Sequence, residues 1–166
     1  MADSIRITRD IREEAFSMAK DMGSLQGSIL KGQGNTAGFI GKIMVFNLLK
    51  GLHYPEVKYI KSNNISTGGL TVAIRTKQRT VAPKSFYNCS VTLDSLKEEF
   101  DYFAFCQVDE EFRQFWLLGF VPWDRFLKES HILHKGERDG KFTVRESCRN
   151  IKIGDLEPTL VLPGRQ

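Results

Sequence analysis

The stretch Leu70-Thr-Val-Ala-Ile-Arg-Thr-Lys77 constrains the fold more than any other part of the chain. Leu70, Val72 and Ile74 alternate with Thr71, Ala73, Arg75 and Lys77. Successive side chains of a strand point to opposite faces, so this segment has one apolar face and one mixed face that ends in cations. The apolar face needs a cover, and the chain supplies helices for it. Ile11, Ala15, Met18, Ala19 and Met22 recur at helical spacing within a helix predicted over 5–22. Thr8 is placed to cap it, Glu13 and Glu14 suit its early turns, and Gly23 stops it. A glycine-rich loop over 24–35 leads to a second helix from about Thr36 to Leu49, with Phe39, Ile40, Ile43, Met44 and Leu48 on one side. Gly38 and Gly41 each cost that helix up to about 1 kcal/mol, which points to close packing or to close approach of another chain.

The remaining elements follow from pattern. Val57–Lys61 reads as a short strand, and Ser62–Gly69 has turn chemistry that joins it to the alternating strand. Arg79–Lys84 is a loop, and 94–99 a short helix or turn. Tyr102–Val108 and Gln114–Val121 read as apolar strands. Pro122-Trp123-Asp124 opens a helix to about Ile132, and weak strands lie near Phe142–Val144 and Thr159–Leu162. Trp116, Trp123 and the phenylalanines of 103–120 read as core. The 166 residues fit one α/β (α+β) domain over 1–166. It is built on a mixed sheet of four to six strands flanked by helices.

No apolar run approaches the roughly 20 residues of a membrane helix. The N-terminus lacks the pattern of a secretory signal. Cys89, Cys106 and Cys148 are odd in number and far apart, which argues against disulfides or zinc and for a reducing cytoplasm. His131 and His134 are spaced to share a helix face but have no ligand partner in sequence. Gly32-Gln-Gly-Asn-Thr-Ala-Gly38 has the wrong spacing, and no preceding strand, for a dinucleotide fingerprint. Charge is segregated. Between 55 and 84, Lys58, Lys61, Arg75, Lys77, Arg79 and Lys84 face only Glu56. Between 85 and 111 seven acids face only Lys97. Such a split suits a nucleic-acid face backed by a solvated one, or two ordinary solvated surfaces.

The element order over about 5–132 resembles the PD-(D/E)XK (restriction-endonuclease-like) nucleases, including small stand-alone endonucleases of microbes and their viruses. Three segments carry the likeness: Gly38-Phe-Ile-Gly-Lys-Ile-Met44, Ser62-Asn63-Asn64, and Ala73-Ile74-Arg75 within Thr71–Arg79. Leu118–Leu127 is similar to the strand and helix that close the family core. The resemblance puts Lys42 where many members carry a metal-binding glutamate and Asn64 where they carry an aspartate. Ala73 and Arg75 stand in place of Glu-x-Lys. That family cleaves phosphodiesters with divalent metals held by carboxylates. Alanine removes a ligand and asparagine a charge. A lysine about 4 Å from a metal charge costs roughly 4 kcal/mol at an effective dielectric of about 20.

The resemblance therefore implies a core with no intact catalytic residues, no metal site and no cofactor. Nucleic acid, DNA rather than RNA, is the implied ligand, gripped by Lys42, Arg75, Lys77, Arg79 and Lys84, with Phe86 and Tyr87 available for stacking. Two alternatives stay open. In one, an active Mg²⁺-dependent endonuclease has its acids supplied from Glu13, Glu14, Asp94, Glu98 or Asp101. In the other, a protein-interaction pseudoenzyme, possible as a dimer, inhibits or scaffolds a partner. No membrane association is expected.

Overall fold

The computed structural model describes residues 3–23 and 33–163. In chain order the elements are β1 (Ile5–Arg6), α1 (Arg9–Gly23), α2 (Gln33–Gly51), β2 (Lys58–Ile60), β3 (Asn64–Thr67), β4 (Leu70–Gln78), β5 (Asn88–Thr92), β6 (Tyr102–Val108), β7 (Gln114–Pro122), α3 (Trp123–Glu129), β8 (His131–Leu133), β9 (Arg138–Asp139), β10 (Phe142–Thr143) and β11 (Cys148–Lys152). Single 3₁₀ turns occupy Asp94–Lys97 and Ile153–Asp155.

A six-stranded sheet runs β1-β7-β6-β4-β3-β2. β2, β3 and β4 form an antiparallel meander, β6 lies parallel to β4, and β7 returns antiparallel to β6. The alternation in β4 does what its pattern dictates. Val72 and Ile74 pack with Ile40, Ile43 and Met44 of α2, and Ala15 and Ala19 of α1 join the same cluster. Ala73 faces the other way, into a cluster with Phe103, Phe105, Trp123, Phe126 and Ile151. β6 is buried on both faces, which explains its nearly unbroken apolar run. Each fully buried phenylalanine, such as Phe103 or Phe126, contributes about 1.5–3 kcal/mol.

The expectation of a mixed sheet holds, with one amendment to "flanked by helices". The face opposite α2 is covered by α3 and by a second, three-stranded sheet, β5-β11-β8. β9 and β10 form a separate hairpin in which Phe142 is exposed. Among the described residues no helix is long and apolar enough to cross a membrane.

Several boundaries move. Ile5 and Arg6 pair with Phe115 and Gln114 as a strand, so the first helix starts at Arg9. Thr8 caps it as read: the Ile11 N–H donates to Thr8 Oγ1 at 3.3 Å. Residues 33–35 belong to α2; the rest of the predicted glycine-rich loop, with Gly32, lies outside the described residues. The supposed turn 62–69 contains β3, because Ile65 is fully buried and the segment pairs on both sides. α3 ends at Glu129, and His131 pairs with Asn150 in β8. His131 and His134 therefore do not share a helix, and both are exposed. No strand forms at 159–162, although Leu160 and Leu162 are core residues.

The glycines of α2 meet this chain itself. A Cβ on Gly41 would lie 3.0 Å from Thr76 Cβ and overlap Thr76 Oγ1, so this glycine lets α2 settle on β4. The three cysteines are free and buried. Burial pushes the Cys89 thiol up to about 12, and the Cys106 thiol is raised for the same reason. A thiol reagent at pH 8 is expected to modify none of them within minutes in the folded protein and all three in denaturant, because the thiolate is the reactive form.

Candidate nucleic-acid interface

The site originates in a mismatch of strand lengths. β3 pairs with β4 only from Leu70 to Ala73, whereas β4 continues to Gln78. The last link is the Ile74 N–H donating to the Asn63 carbonyl at 3.0 Å. Beyond it the edge of β4 opens into a cleft of about 460 Å³. Asn63 and Asn64 form one wall, Gly38 of α2 another, and Asp94, Lys97 and Glu98 of the 3₁₀ turn a third, with Arg75 and Thr76 along the floor.

Asn64 and Ala73 are direct register partners across β3 and β4, and both are buried. The Asn64 amide donates to the Lys61 carbonyl at 2.8 Å, while its Oδ1 is buried without a hydrogen-bond partner. Arg75 is half-buried; it donates to the Ile74 carbonyl at 3.0 Å and lies over the Phe103 ring at 5.8 Å. Burial lowers its pKa, with Glu98 opposing the shift. Lys42 is not part of the cleft wall. Its ammonium donates to the Ser62 carbonyl at 2.6 Å and lies 5.0 Å from the Tyr59 ring centre, on the rim. Burial lowers its pKa as well.

On the face of β4 away from α2, Arg75, Lys77 and Arg79 follow one another at every second residue. They line a second cavity of about 240 Å³ between β4 and β5, and Arg75 belongs to the walls of both cavities. Arg79 donates to the Asn88 carbonyl at 3.1 Å and lies 4.9 Å from the Tyr87 ring centre. Lys84 sits 5.9 Å from both the Phe86 and Tyr87 rings, and Phe86 is exposed. The pKa of Lys77 is lowered, chiefly by burial and then by the charge of Arg79. None of Arg75, Lys77, Arg79 or Lys84 has a carboxylate within ion-pair distance among the described residues. By contrast Arg125 has both Glu129 and Glu157.

Of the acids proposed to have migrated, Asp94 and Glu98 reach the cleft wall. Asp94 is held by Lys97 at 2.7 Å. Asp101 is engaged by the Thr71 N–H at 2.8 Å, and Glu13 pairs with Arg9 at 2.9 Å. Among the described residues no group of three or more His, Cys, Asp or Glu converges. At the positions the resemblance assigns to a metal, the side chains are an amide, a methyl, a guanidinium and a distant ammonium. That set does not fit a divalent cation.

Sequence reading missed β5 and β11, and with them Asn88, which roofs the second cavity. The signal was present: Cys89 and Val91 are buried and Ser90 and Thr92 exposed, a short alternation inside a polar stretch. Comparison with protein-family models, with curated proteins and with solved structures finds no match.

Proposed function

We propose that this protein binds nucleic acid without cleaving it, on a restriction-endonuclease-like core, using the basic face of β4 and the loop that follows. One observation carries the reading: Arg75, Lys77 and Arg79 converge on a cavity with no carboxylate partner among the described residues. Converging, partly desolvated cations repel one another, and an anion entering between them relieves that cost. Phosphate oxygens match guanidinium and ammonium donors directly. Lys84 extends the line of charge, and Lys42 stands on the cleft rim. The core assignment is supported by the helix, meander and parallel-strand order and by the adjacency of Asn64 and Ala73, since residues sharing a metal must be neighbours.

Anisotropy of labelled DNA and RNA oligonucleotides, titrated at rising salt, tests it. With three to five phosphate contacts the log–log salt slope is expected at about −3 to −4.5. Absence of binding at low salt would refute the reading.

A second reading is favoured by Asp94 and Glu98 in the cleft wall beside the unpartnered Asn64 Oδ1. It is an endonuclease with relocated acids. Cleavage of any oligonucleotide that needs Mg²⁺ or Mn²⁺ and disappears in Glu98→Gln would replace the first reading with this one.

A further inference from the structure

We propose that the cavity between β4 and β5 receives one unpaired nucleotide, its phosphate at the cations and its base against the apolar floor. This rests on the nucleic-acid reading and narrows it to strands with a base outside a duplex.

Three features of the cavity agree. Its rim carries Arg75, Lys77 and Arg79, its floor is formed by Phe105, Leu118 and Ile153, and its volume is about 240 Å³. That lies below the roughly 300–1,000 Å³ of sites for drug-sized ligands, and so suits a single planar ring system rather than a length of chain. The third feature is a pair of orphan acceptors. Asn88 Oδ1, in the cavity wall, is buried and has no partner. Gln107 is the register partner of Lys77 across β4 and β6; its amide donates to the Val81 carbonyl at 2.8 Å, while its Oε1 is also buried and unpartnered.

A phosphate cannot satisfy a carbonyl-type acceptor, because it has no N–H to give. Nucleobase edges do, through ring N–H and exocyclic amino groups. An unsatisfied buried acceptor costs about 1–3 kcal/mol, so a ligand that supplies the donor gains by it. Cations at one end, a flat apolar floor and acceptors behind it are the complement of a nucleotide. A base stacked and paired in a duplex presents none of these surfaces together and must leave the stack to enter. Beside the rim, Tyr87 lies under Arg79, and the exposed Phe86 offers a ring to the neighbouring base.

The test uses the full chain and defined probes. Each of the four nucleoside 5′-monophosphates is titrated by calorimetry, and a single-stranded oligonucleotide is compared with its fully paired duplex by anisotropy. Saturable binding of at least one monophosphate is expected, together with preference for the single strand. Asn88→Asp keeps the shape and places a carboxylate among the cations. It should weaken monophosphate binding by about tenfold or more, the size of one lost charge-assisted contact. Leu118→Phe fills the floor without changing charge and should give the same loss, with thermal melting confirming that each variant folds. Equal binding of single strand and duplex, with no monophosphate binding, would overturn the inference and leave the broader reading standing. No oligonucleotide binding at low salt would overturn both.

Discussion

The triple substitution Arg75→Gln, Lys77→Gln, Arg79→Gln is expected to weaken oligonucleotide binding by about 100-fold at low salt while leaving the fold as stable as before. Charge-assisted hydrogen bonds contribute roughly 1.5–3 kcal/mol each, and screening at this partly open site reduces that. The salt slope should fall by about 2.7, since each lost phosphate contact removes about 0.9. A single control, Lys128→Gln on α3, should leave both values unchanged. The stability expectation follows from linkage. The folded state lowers the pKa of Lys77 below its ordinary 10.5. The unfolded chain therefore binds more protons than the folded one between the lowered value and 10.5, and stability rises with pH across that window. At neutral pH the charged lysine is a net cost to the folded state. Removing it should flatten the alkaline rise in melting temperature rather than lower the melting temperature at pH 7. A variant that lost binding because it unfolded would show the opposite. Undiminished binding with an unchanged salt slope would remove this face from the interface.

How far the sequence revealed this site depends on which force placed each residue. β4 was legible because its two faces have different solvents, so the period-2 pattern of Leu70, Val72 and Ile74 was enforced by burial against α2. β6 and β7 were legible as apolar runs buried on both faces. β3 was hidden because Ser62–Gly69 is rich in turn residues. Its strand character comes from pairing to neighbours on both sides, which is tertiary and leaves no local mark. The same holds for β11, whose Asn150 is buried and polar. Lys42 was aligned with a metal position from its place in the helix, yet its side chain turns to the Ser62 carbonyl, a contact set by the β2–β3 turn. Cation spacing along β4 was readable; the cavity beneath it was not, because the roof comes from β5 and the floor from β7, both remote in sequence.

Gly119→Ala is expected to produce the largest loss of stability of any single methyl addition considered, roughly 2–5 kcal/mol. Two costs combine. Gly119 has φ near 149°, a conformation L side chains rarely adopt, and holding an alanine there costs about 1–3 kcal/mol. The added Cβ would lie 2.6 Å from Leu156 Cβ and 2.8 Å from the Glu157 carbonyl oxygen. Overpacking against backbone costs a further 1–3 kcal/mol or so. The backbone cannot step aside easily, because Phe120 and Glu157 exchange two N–H···O bonds of 2.7 Å at this point. Those bonds bind the C-terminal segment to β7, and Leu160 and Leu162 beyond them fill the core under α2. At about 2–4 °C per kcal/mol for a chain of this size, the melting temperature should drop by roughly 4–20 °C. Gly154→Ala, where φ is ordinary and the nearest atom is 3.3 Å away, should cost less than about 1 kcal/mol. The same bulge has a functional consequence. Phe105 pairs with Gly119 while Cys106 pairs with Leu117, so Leu118 is the extra residue, and it is this residue that reaches the floor of the cavity beneath Arg75. Equal melting temperatures for Gly119→Ala and Gly154→Ala would show that neither the backbone conformation nor the Glu157 contact constrains the bulge, and would remove the structural reason for Leu118 lying there.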